Sequence, residues 1–234
     1  MGLTQNSHQV LVVYAKYPQK GKVKTRLAES IGEEIATEVY SYFVHHIVKT
    51  HSQNNYLYDL AIAVSPADKI TSFANRFTGA QLYIPQFDSD NLGNRLADSI
   101  QQIFAMAYRK VVIIGTDSPA LRNEVITQAF VNLDATDVVL GPSIDGGYYL
   151  MGMKKPNIKL FQSIRWSTAY TLRDTIAAVK QESLKYTLLE EHFDVDDIND
   201  LKLLLATYPN MPFPQTLKQK LATVLELGCC AKFL

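Results

Sequence analysis

Short apolar runs alternate with amphipathic helical patterns along this chain. Short, mainly apolar runs predict strands at residues 10–15, 59–65, 81–85, 111–114, 137–141, 148–153 and 185–189. Apolar residues at helical spacing predict helices at about residues 33–50, 68–77, 92–107, 123–133, 169–182 and 215–227, and another that contains Leu201, Leu204 and Leu205. Strands that alternate with helices are typical of an α/β protein with a mainly parallel sheet.

The sequence gives no sign that the chain is divided into parts. Its 234 residues show no internal repeat, low-complexity tract or flexible linker, which favours one domain over residues 1–234. The predicted core spans about residues 10–205. Pro209, Pro212 and Pro214 interrupt the chain around the start of a predicted C-terminal helical extension at about residues 206–234.

Composition and charge exclude some classes of function for this chain. The chain is 47% hydrophobic and 20% charged, and its 23 Lys and Arg equal its 23 Asp and Glu. This balance argues against a general nucleic-acid binder, which needs a basic excess. Because no apolar run could span a bilayer and residues 1–9 lack an apolar signal core, we expect a cytoplasmic protein. The adjacent Cys229 and Cys230 have no metal-ligand spacing, and their role is open.

One carboxylate follows the predicted strand at residues 111–114. The next residues, 115–119, read GTDSP and present Asp117 in a small turn. In open α/β sheets, ligands bind at the carboxyl ends of strands, where a carboxylate can hold a divalent metal on a phosphorylated ligand. Alternatively, Asp117 caps the next helix. This segment alone leaves both interpretations open.

A basic loop follows the first predicted strand. Residues 16–26 carry five basic side chains, which suggests phosphate binding. The loop fits neither the P-loop pattern nor the G-x-G-x-x-G dinucleotide pattern. The alternative is a solvated basic loop without a ligand.

Three further polar segments are candidates for the same site. Gly93, in the polar segment at residues 88–96 that runs into the next predicted helix, could permit close approach of a ligand. Asp145, followed by two glycines, could orient a substrate hydroxyl or act as a base, or could belong to a simple hairpin turn. The acidic stretch at residues 194–200 could complement a helix dipole or supply a second metal-facing carboxylate.

Four segments, in this order, resemble the bacterial DUF2064 family. Residues 14–27 are similar to its pattern F-A-K-x-P-x-x-G-x-V-K-T-R-L, and residues 92–96 to L-G-x-R-L/M. Residues 115–119 match G-[ST]-D-x-P, and residues 141–150 match G-P-x-x-D-G-G-Y-Y-L. Residues 164–168 resemble I-x-W-[GS]-T, while residues 194–201 follow D-[IV]-D-T-P-E-D-L except at Asp197, Ile198 and Asn199.

The resemblance implies a fold and a set of site residues. The family is described as glycosyltransferases linked to arsenosugar biosynthesis and belongs to the nucleotide-diphospho-sugar transferase superfamily. This implies a single-domain GT-A-like three-layer α/β/α sandwich with a mainly parallel mixed sheet. The implied nucleotide- and phosphate-binding residues are Lys16, Gly21, Lys24, Arg26, Gly93 and Arg95. The implied ligands of Mg²⁺ or Mn²⁺ are Asp117 and Asp196, the catalytic residues are Asp117 and Asp145, and the sugar or acceptor residues are Gly146, Gly147, Tyr148 and Trp166.

Three functions remain open at this point. The first is a metal-dependent glycosyltransferase with a nucleotide-sugar donor and a small-molecule acceptor. The second is a nucleotidyltransferase that joins an NTP to a phosphorylated acceptor and releases pyrophosphate, since the same fold and basic loop serve both reactions. The third is a non-catalytic nucleotide-binding module.

Overall fold

The computed structural model describes residues 8–52 and 57–225. These residues form seven strands, β1 (Gln9–Lys16), β2 (Asp59–Ser65), β3 (Leu82–Pro85), β4 (Lys110–Ile114), β5 (Val138–Pro142), β6 (Tyr148–Met153) and β7 (Tyr186–Leu188). All seven predicted strands are present, within about one residue at most boundaries. Cys229 and Cys230 lie outside the described residues.

In the described part of the chain, the strands form one sheet in the order β3-β2-β1-β4-β6-β5-β7. β1 lies near its centre and pairs in parallel with β2 and β4. β6 runs antiparallel to both of its neighbours, β4 and β5, while β5 and β7 are parallel. This confirms the predicted mainly parallel mixed sheet.

Helices cover both faces of the sheet. The described residues form α1 (Thr25–Ile31), α2 (Glu33–His51), α3 (Ile70–Arg76), α4 (Leu92–Ala105), α5 (Asn123–Ala135), α6 (Thr171–Gln181), α7 (Ile198–Thr207) and α8 (Gln215–Val224). One core contains apolar residues of α2, α3 and α5, and the core on the opposite face contains those of α4 and α6. The three-layer α/β/α prediction is therefore confirmed. Within the described ranges, no helix is both long and apolar enough to cross a bilayer.

The C-terminal helices pack against the first two helices. A third apolar cluster joins α1 and α2 to α7 and α8. In it the ring of Phe213 stacks on Tyr42 at 4.2 Å between centroids, and Leu217 and Leu221 of α8 are buried. This cluster ties the proposed extension to the core, and the extent of the domain stays a prediction.

The sequence-based prediction missed α1. The predicted loop at residues 16–26 ends earlier, because Thr25 begins this helix. Its seven residues span only two turns, too few to establish an apolar period. Gly32 separates α1 from α2. Its φ of +80° is a backbone conformation that glycine adopts without steric cost.

The order of the strands determines where a ligand can bind. The chain builds β1, β2 and β3 outward in one direction and then returns to place β4 on the other side of β1. The carboxyl ends of β1 and β4 are therefore adjacent at the point where the strand order reverses. Crevices at such switch points are the usual ligand sites of open α/β sheets.

The buried His51, at the end of α2, allows the packing of this helix to be tested by its effect on stability at different pH values. Its Nδ1 lies 3.1 Å from the Tyr58 hydroxyl, and its Nε2 finds no hydrogen-bond partner among the described residues. Burial lowers the pKa of His51 to about 4, although the nearby Asn123 side chain opposes this shift in part. Since the unfolded chain takes up this proton near the ordinary value of about 6.5, His51 destabilises the fold as the pH falls from there towards 4.

The free energy of unfolding of the wild type should decrease as the pH falls through this range. We expect His51→Gln to reduce this decrease by about 2–3 kcal/mol. Urea unfolding at several pH values measures this slope. His45→Gln, which changes an exposed histidine of the same helix, should keep the wild-type slope. An unchanged slope in the His51 variant would contradict the argument.

Candidate functional site

A cavity of about 570 Å³ opens at the carboxyl ends of β1 and β4. Ten of the residues predicted for the site line it, namely Lys16, Lys24, Arg26, Arg95, Asp117, Asp145, Gly147, Tyr148, Trp166 and Asp196. The lining does not include Gly21, Gly93 or Gly146. Segments far apart in the sequence therefore meet at the predicted edge of the sheet.

Lys24 joins the two predicted metal ligands. Its ammonium forms ion pairs with Asp117 and, at 3.1 Å, with Asp196. The same nitrogen donates to the Val195 carbonyl at 2.5 Å. The Lys24 side chain is 4% exposed, whereas Asp117 and Asp196 are 46% and 43% exposed. The two carboxylates thus converge on one buried cation while keeping oxygen atoms accessible from the cavity.

The environment of Lys24 stabilises its charged form. Burial alone would lower the pKa of this lysine, but Asp117 and Asp196 together raise it above its ordinary value. Its backbone has φ 47° and ψ 47°, the left-handed conformation, which is uncommon for a residue that carries a Cβ. The chain adopts this conformation where the loop after β1 turns into α1.

The other cations of the loop remain open to solvent. Lys16 and Lys22 are exposed, and Arg26 is 74% exposed with its Nη1 3.6 Å from Asp196. The interpretation as a wholly solvated loop is therefore wrong for Lys24. Phosphate binding by Lys16, Lys24 and Arg26 stays a prediction.

Asp117 does not cap the following helix. α5 begins after Arg122, and no side chain caps it. Instead, Asp117 faces Lys24, and its carbonyl accepts a 2.8 Å hydrogen bond from the Val195 amide. The turn after β4 is thereby attached to the acidic stretch near the C-terminus.

Asp194 is a site residue that the sequence-based prediction missed. Its carboxylate accepts hydrogen bonds from Ser118 and, at 2.7 Å, from Ser143. Burial raises the pKa of Asp194, with Asp117 and Asp145 acting in the same direction and the two serines opposing it. Asp194 connects the turns that follow β4 and β5. Its place in the family-like segment at residues 194–201 was the available signal.

The acidic stretch contains both helix-capping residues and residues that line the cavity, and the metal-binding role of Asp196 stays a prediction. Asp197 is the N-cap of α7 and accepts from the Asn199 and Asp200 amides, while Asp200 accepts from the Asp197 amide in a capping box. Asp194 and Asp196 precede this N-cap and line the cavity instead. Capping groups and site groups are thus different members of one segment.

The turn between β5 and β6 brings Asp145 to the cavity. Its Oδ1 accepts a 2.8 Å hydrogen bond from the Gly147 amide, so the predicted hairpin turn is present. Gly146, at φ +86°, packs against the backbone of Ala169, where a Cβ would collide. Asp145 is exposed and lines the cavity. Asp145 therefore both forms the hairpin turn and presents its carboxylate to the cavity.

Gly93 makes room for protein atoms. A Cβ there would lie 2.5 Å from the Phe161 carbonyl and 2.6 Å from the Trp166 Nε1. The Trp166 ring stacks on Phe161 and meets Tyr148 edge to face. Its Nε1 is buried without a hydrogen-bond partner in the described part of the chain. The missing side chain of Gly93 thus positions the aromatic wall, and contact with a nucleotide stays a prediction.

Arg95 and Tyr40 complete the floor of the cavity. Arg95 donates to the Gln86 side chain at 3.3 Å, and its Nε has no partner in the described ranges. The buried Tyr40 hydroxyl accepts from the Lys16 amide at 2.8 Å and from the Thr116 hydroxyl at 3.3 Å. It joins the ends of β1 and β4. Sequence reasoning missed Tyr40, because a tyrosine on an apolar helix face is typical of core packing.

The residues present fit a divalent metal only in part. Among residues 8–52 and 57–225, no group of three or more His, Cys, Asp or Glu side chains could hold a metal ion. Asp117 and Asp196 are nevertheless hard oxygen ligands, and Mg²⁺ in proteins is often held by one or two carboxylates together with substrate phosphates. The carboxylate pair therefore suits a metal that arrives with a phosphorylated ligand.

Comparison with families and solved structures places these observations in context. A family model described as "Uncharacterized protein conserved in bacteria (DUF2064)" matches residues 48–168. A crystal structure from Desulfovibrio desulfuricans G20, named as a candidate nucleotide-diphospho-sugar transferase, is 31% identical, with a TM-score of 0.85. The match covers 94% of this chain and 98% of that chain. No curated protein matches the chain.

More distant structures share the fold alone. A 4-diphosphocytidyl-2C-methyl-D-erythritol synthase from Anaerococcus prevotii DSM 20548 is 9% identical, with a TM-score of 0.59 over 88% of this chain and 97% of that chain. A CMP:2-keto-3-deoxy-manno-octonic acid synthetase complexed with CTP is 12% identical, with a TM-score of 0.55 over 86% of this chain and 98% of that chain.

Proposed function

The chain belongs to the DUF2064 family, and on this basis we propose that it is a nucleotide-utilising transferase, specifically a metal-dependent glycosyltransferase. It would move a sugar from a nucleotide-sugar donor to a small-molecule acceptor. The observation that carries this proposal is the cavity at the switch point, where Asp117 and Asp196 converge beside the cations of the loop after β1.

The lining of the cavity carries groups that suit both parts of such a donor. Lys16 and Arg26 are exposed and line the cavity, and such cations can neutralise a diphosphate. Tyr148 and Trp166 supply apolar aromatic surface, and Asp145 supplies a nearby carboxylate that can accept a hydrogen bond from a sugar or acceptor hydroxyl. These groups support the binding of both a diphosphate and a sugar in the cavity.

Catalysis in this proposal is mainly electrostatic. Asp117 and Asp196 would hold Mg²⁺ or Mn²⁺, which supplies stabilisation of the charge that develops on the departing phosphate. Arg26 and Lys16 would hold the same phosphate in position, and Asp145 would orient or deprotonate the acceptor hydroxyl.

A nucleotidyltransferase is the second candidate. The observation in its favour is that four cations of the segment at residues 16–26 line the cavity, a set of charges suited to a triphosphate: Lys16, Lys22, Lys24 and Arg26. The two candidates differ in the leaving group, which is a nucleoside diphosphate in the first and pyrophosphate in the second. A non-catalytic module is the third candidate, and it predicts binding of a nucleotide in the same cavity without turnover.

Product analysis separates the candidates. The protein is incubated with Mn²⁺ and a panel of NDP-sugars or NTPs, with pooled small-molecule acceptors, and nucleoside diphosphate and pyrophosphate are quantified. We expect release of nucleoside diphosphate from at least one NDP-sugar. Pyrophosphate release from an NTP without turnover of any NDP-sugar would favour the second candidate. Nucleotide binding without either product would favour the non-catalytic module.

A further inference from the structure

The ammonium of Lys24 occupies the position between Asp117 and Asp196 that the proposed function gives to a divalent metal. We propose that Lys24 is an exchangeable internal cation, which keeps the metal out until the phosphates of a nucleotide draw the lysine away. The substrate is then a metal–nucleotide complex whose two parts enter together. This inference rests on the proposed function, because it uses the same carboxylate pair.

Each N–H donor of the Lys24 ammonium can have an acceptor in the structure. The ammonium has three N–H donors, and the structure gives it three acceptors, which are the two carboxylates and the Val195 carbonyl. All of them approach within 3.1 Å. A metal ion that bound Asp117 and Asp196 through the Oδ1 atoms that face Lys24 would have to replace the ammonium there.

The positive charge of the Lys24 ammonium disfavours a second cation at the same carboxylates. A divalent cation added beside a retained ammonium would place two like charges a few ångströms apart, and only 4% of the lysine side chain is exposed to solvent. Repulsion at this distance is weakly screened where water is excluded. Phosphate groups remove the conflict, because they accept the ammonium and also supply oxygen ligands to the metal.

The side chain of Lys24 is of a flexible type that suits such an exchange. Lysine carries its charge on a flexible four-carbon stem, so the ammonium can leave the carboxylates without movement of the backbone. Lys24 lines the same cavity as Lys16 and Lys22, which carry the exposed cations to which a phosphate would bind. In the proposed exchange the Lys24 side chain changes rotamer and follows the phosphate into this cavity.

Metal binding without nucleotide tests the proposal. We expect Lys24→Gln to bind Mn²⁺ at least about tenfold more tightly than the wild type, because the neutral amide leaves both carboxylates free for the metal. Free Mn²⁺ is measured by electron paramagnetic resonance. Lys24→Arg, which keeps a cation in place, should bind Mn²⁺ as weakly as the wild type. Lys22→Gln is the matched control, since it removes an exposed charge from the same loop.

Equal Mn²⁺ affinity in the wild type and Lys24→Gln, including no binding by either, would overturn the proposal. Equal gains in Lys24→Gln and Lys22→Gln would also overturn it, because the effect would then be general electrostatics. Thermal unfolding checks that each variant is folded. If Lys24→Gln does not fold, the Mn²⁺ affinity of the wild type is measured with and without inorganic pyrophosphate, and corrected for Mn²⁺–pyrophosphate that forms in solution. An affinity that pyrophosphate leaves unchanged would overturn the proposed exchange.

The two proposals fail in different measurements. Absence of turnover with every NDP-sugar and NTP counts against the proposed function. The Mn²⁺ titration contains no nucleotide and no acceptor, so its result for Lys24→Gln judges the exchange independently of turnover.

Discussion

Asp117→Asn should lower kcat/KM for transfer by about 10²–10³-fold, the range seen when one electrostatic group that acts on the transition state is removed. The amide keeps the shape of the side chain but loses the charge that would hold the metal on the phosphates. The fold should survive, because the Asp117 carbonyl still accepts from Val195 and Lys24 retains Asp196. Steady-state kinetics with the donor found in the product assay measures the effect.

A matched variant identifies the cause of the loss. Asp134→Asn removes an exposed carboxylate, paired with Lys110, that lies outside the cavity, and it should leave kcat/KM within about twofold of the wild type. Metal-supported donor affinity is measured in parallel by calorimetry. Near-normal affinity and turnover in Asp117→Asn would remove Asp117 from the site.

Gly93→Ala should lower the free energy of unfolding by about 1–3 kcal/mol, as expected for overpacking. Helix propensity alone predicts the opposite sign, because alanine is favoured over glycine by about 1 kcal/mol within a helix. The added Cβ would meet the Phe161 carbonyl at 2.5 Å, and a backbone atom cannot move aside as the end of a flexible side chain can. Urea unfolding measures the change.

Gly115→Ala is the control for this variant. A Cβ at Gly115 finds its nearest atom at 3.9 Å, which is ordinary van der Waals contact, so its stability should change little. A stabilised Gly93→Ala would show that the segment carrying Phe161 and Trp166 can move away from α4. It would also show that the aromatic wall of the cavity is adjustable.

The sheet and its position in the sequence could be predicted because its central strands are short apolar runs that are buried on both faces. Most residues of β1 and β4 are buried, so a local pattern is enough to find these strands. The glycine-containing turns and Asp117 lie directly after such strands, and the rule that ligands bind at carboxyl ends places them at one edge.

The partners within the site could not be predicted in the same way. Lys24 reads as one more cation of a basic loop, and only the tertiary fold brings it to Asp196, 172 residues later. Asp194 reads as one of several acids before a helix, although its bonds to Ser118 and Ser143 distinguish it from Asp197. Local pattern gives the type of each group, whereas the pairing depends on long-range packing.

The contact between Lys24 and the segment around Val195 has a consequence for how the protein is made. The basic loop follows the first strand to be synthesised, but its partner at the Val195 carbonyl is separated from it by 171 residues. Because domains are synthesised from the N-terminus, most of the sheet can leave the ribosome before this partner exists. The site is therefore completed late during translation, and a nascent chain that ends before Asp194 would carry its strands without a finished ligand site.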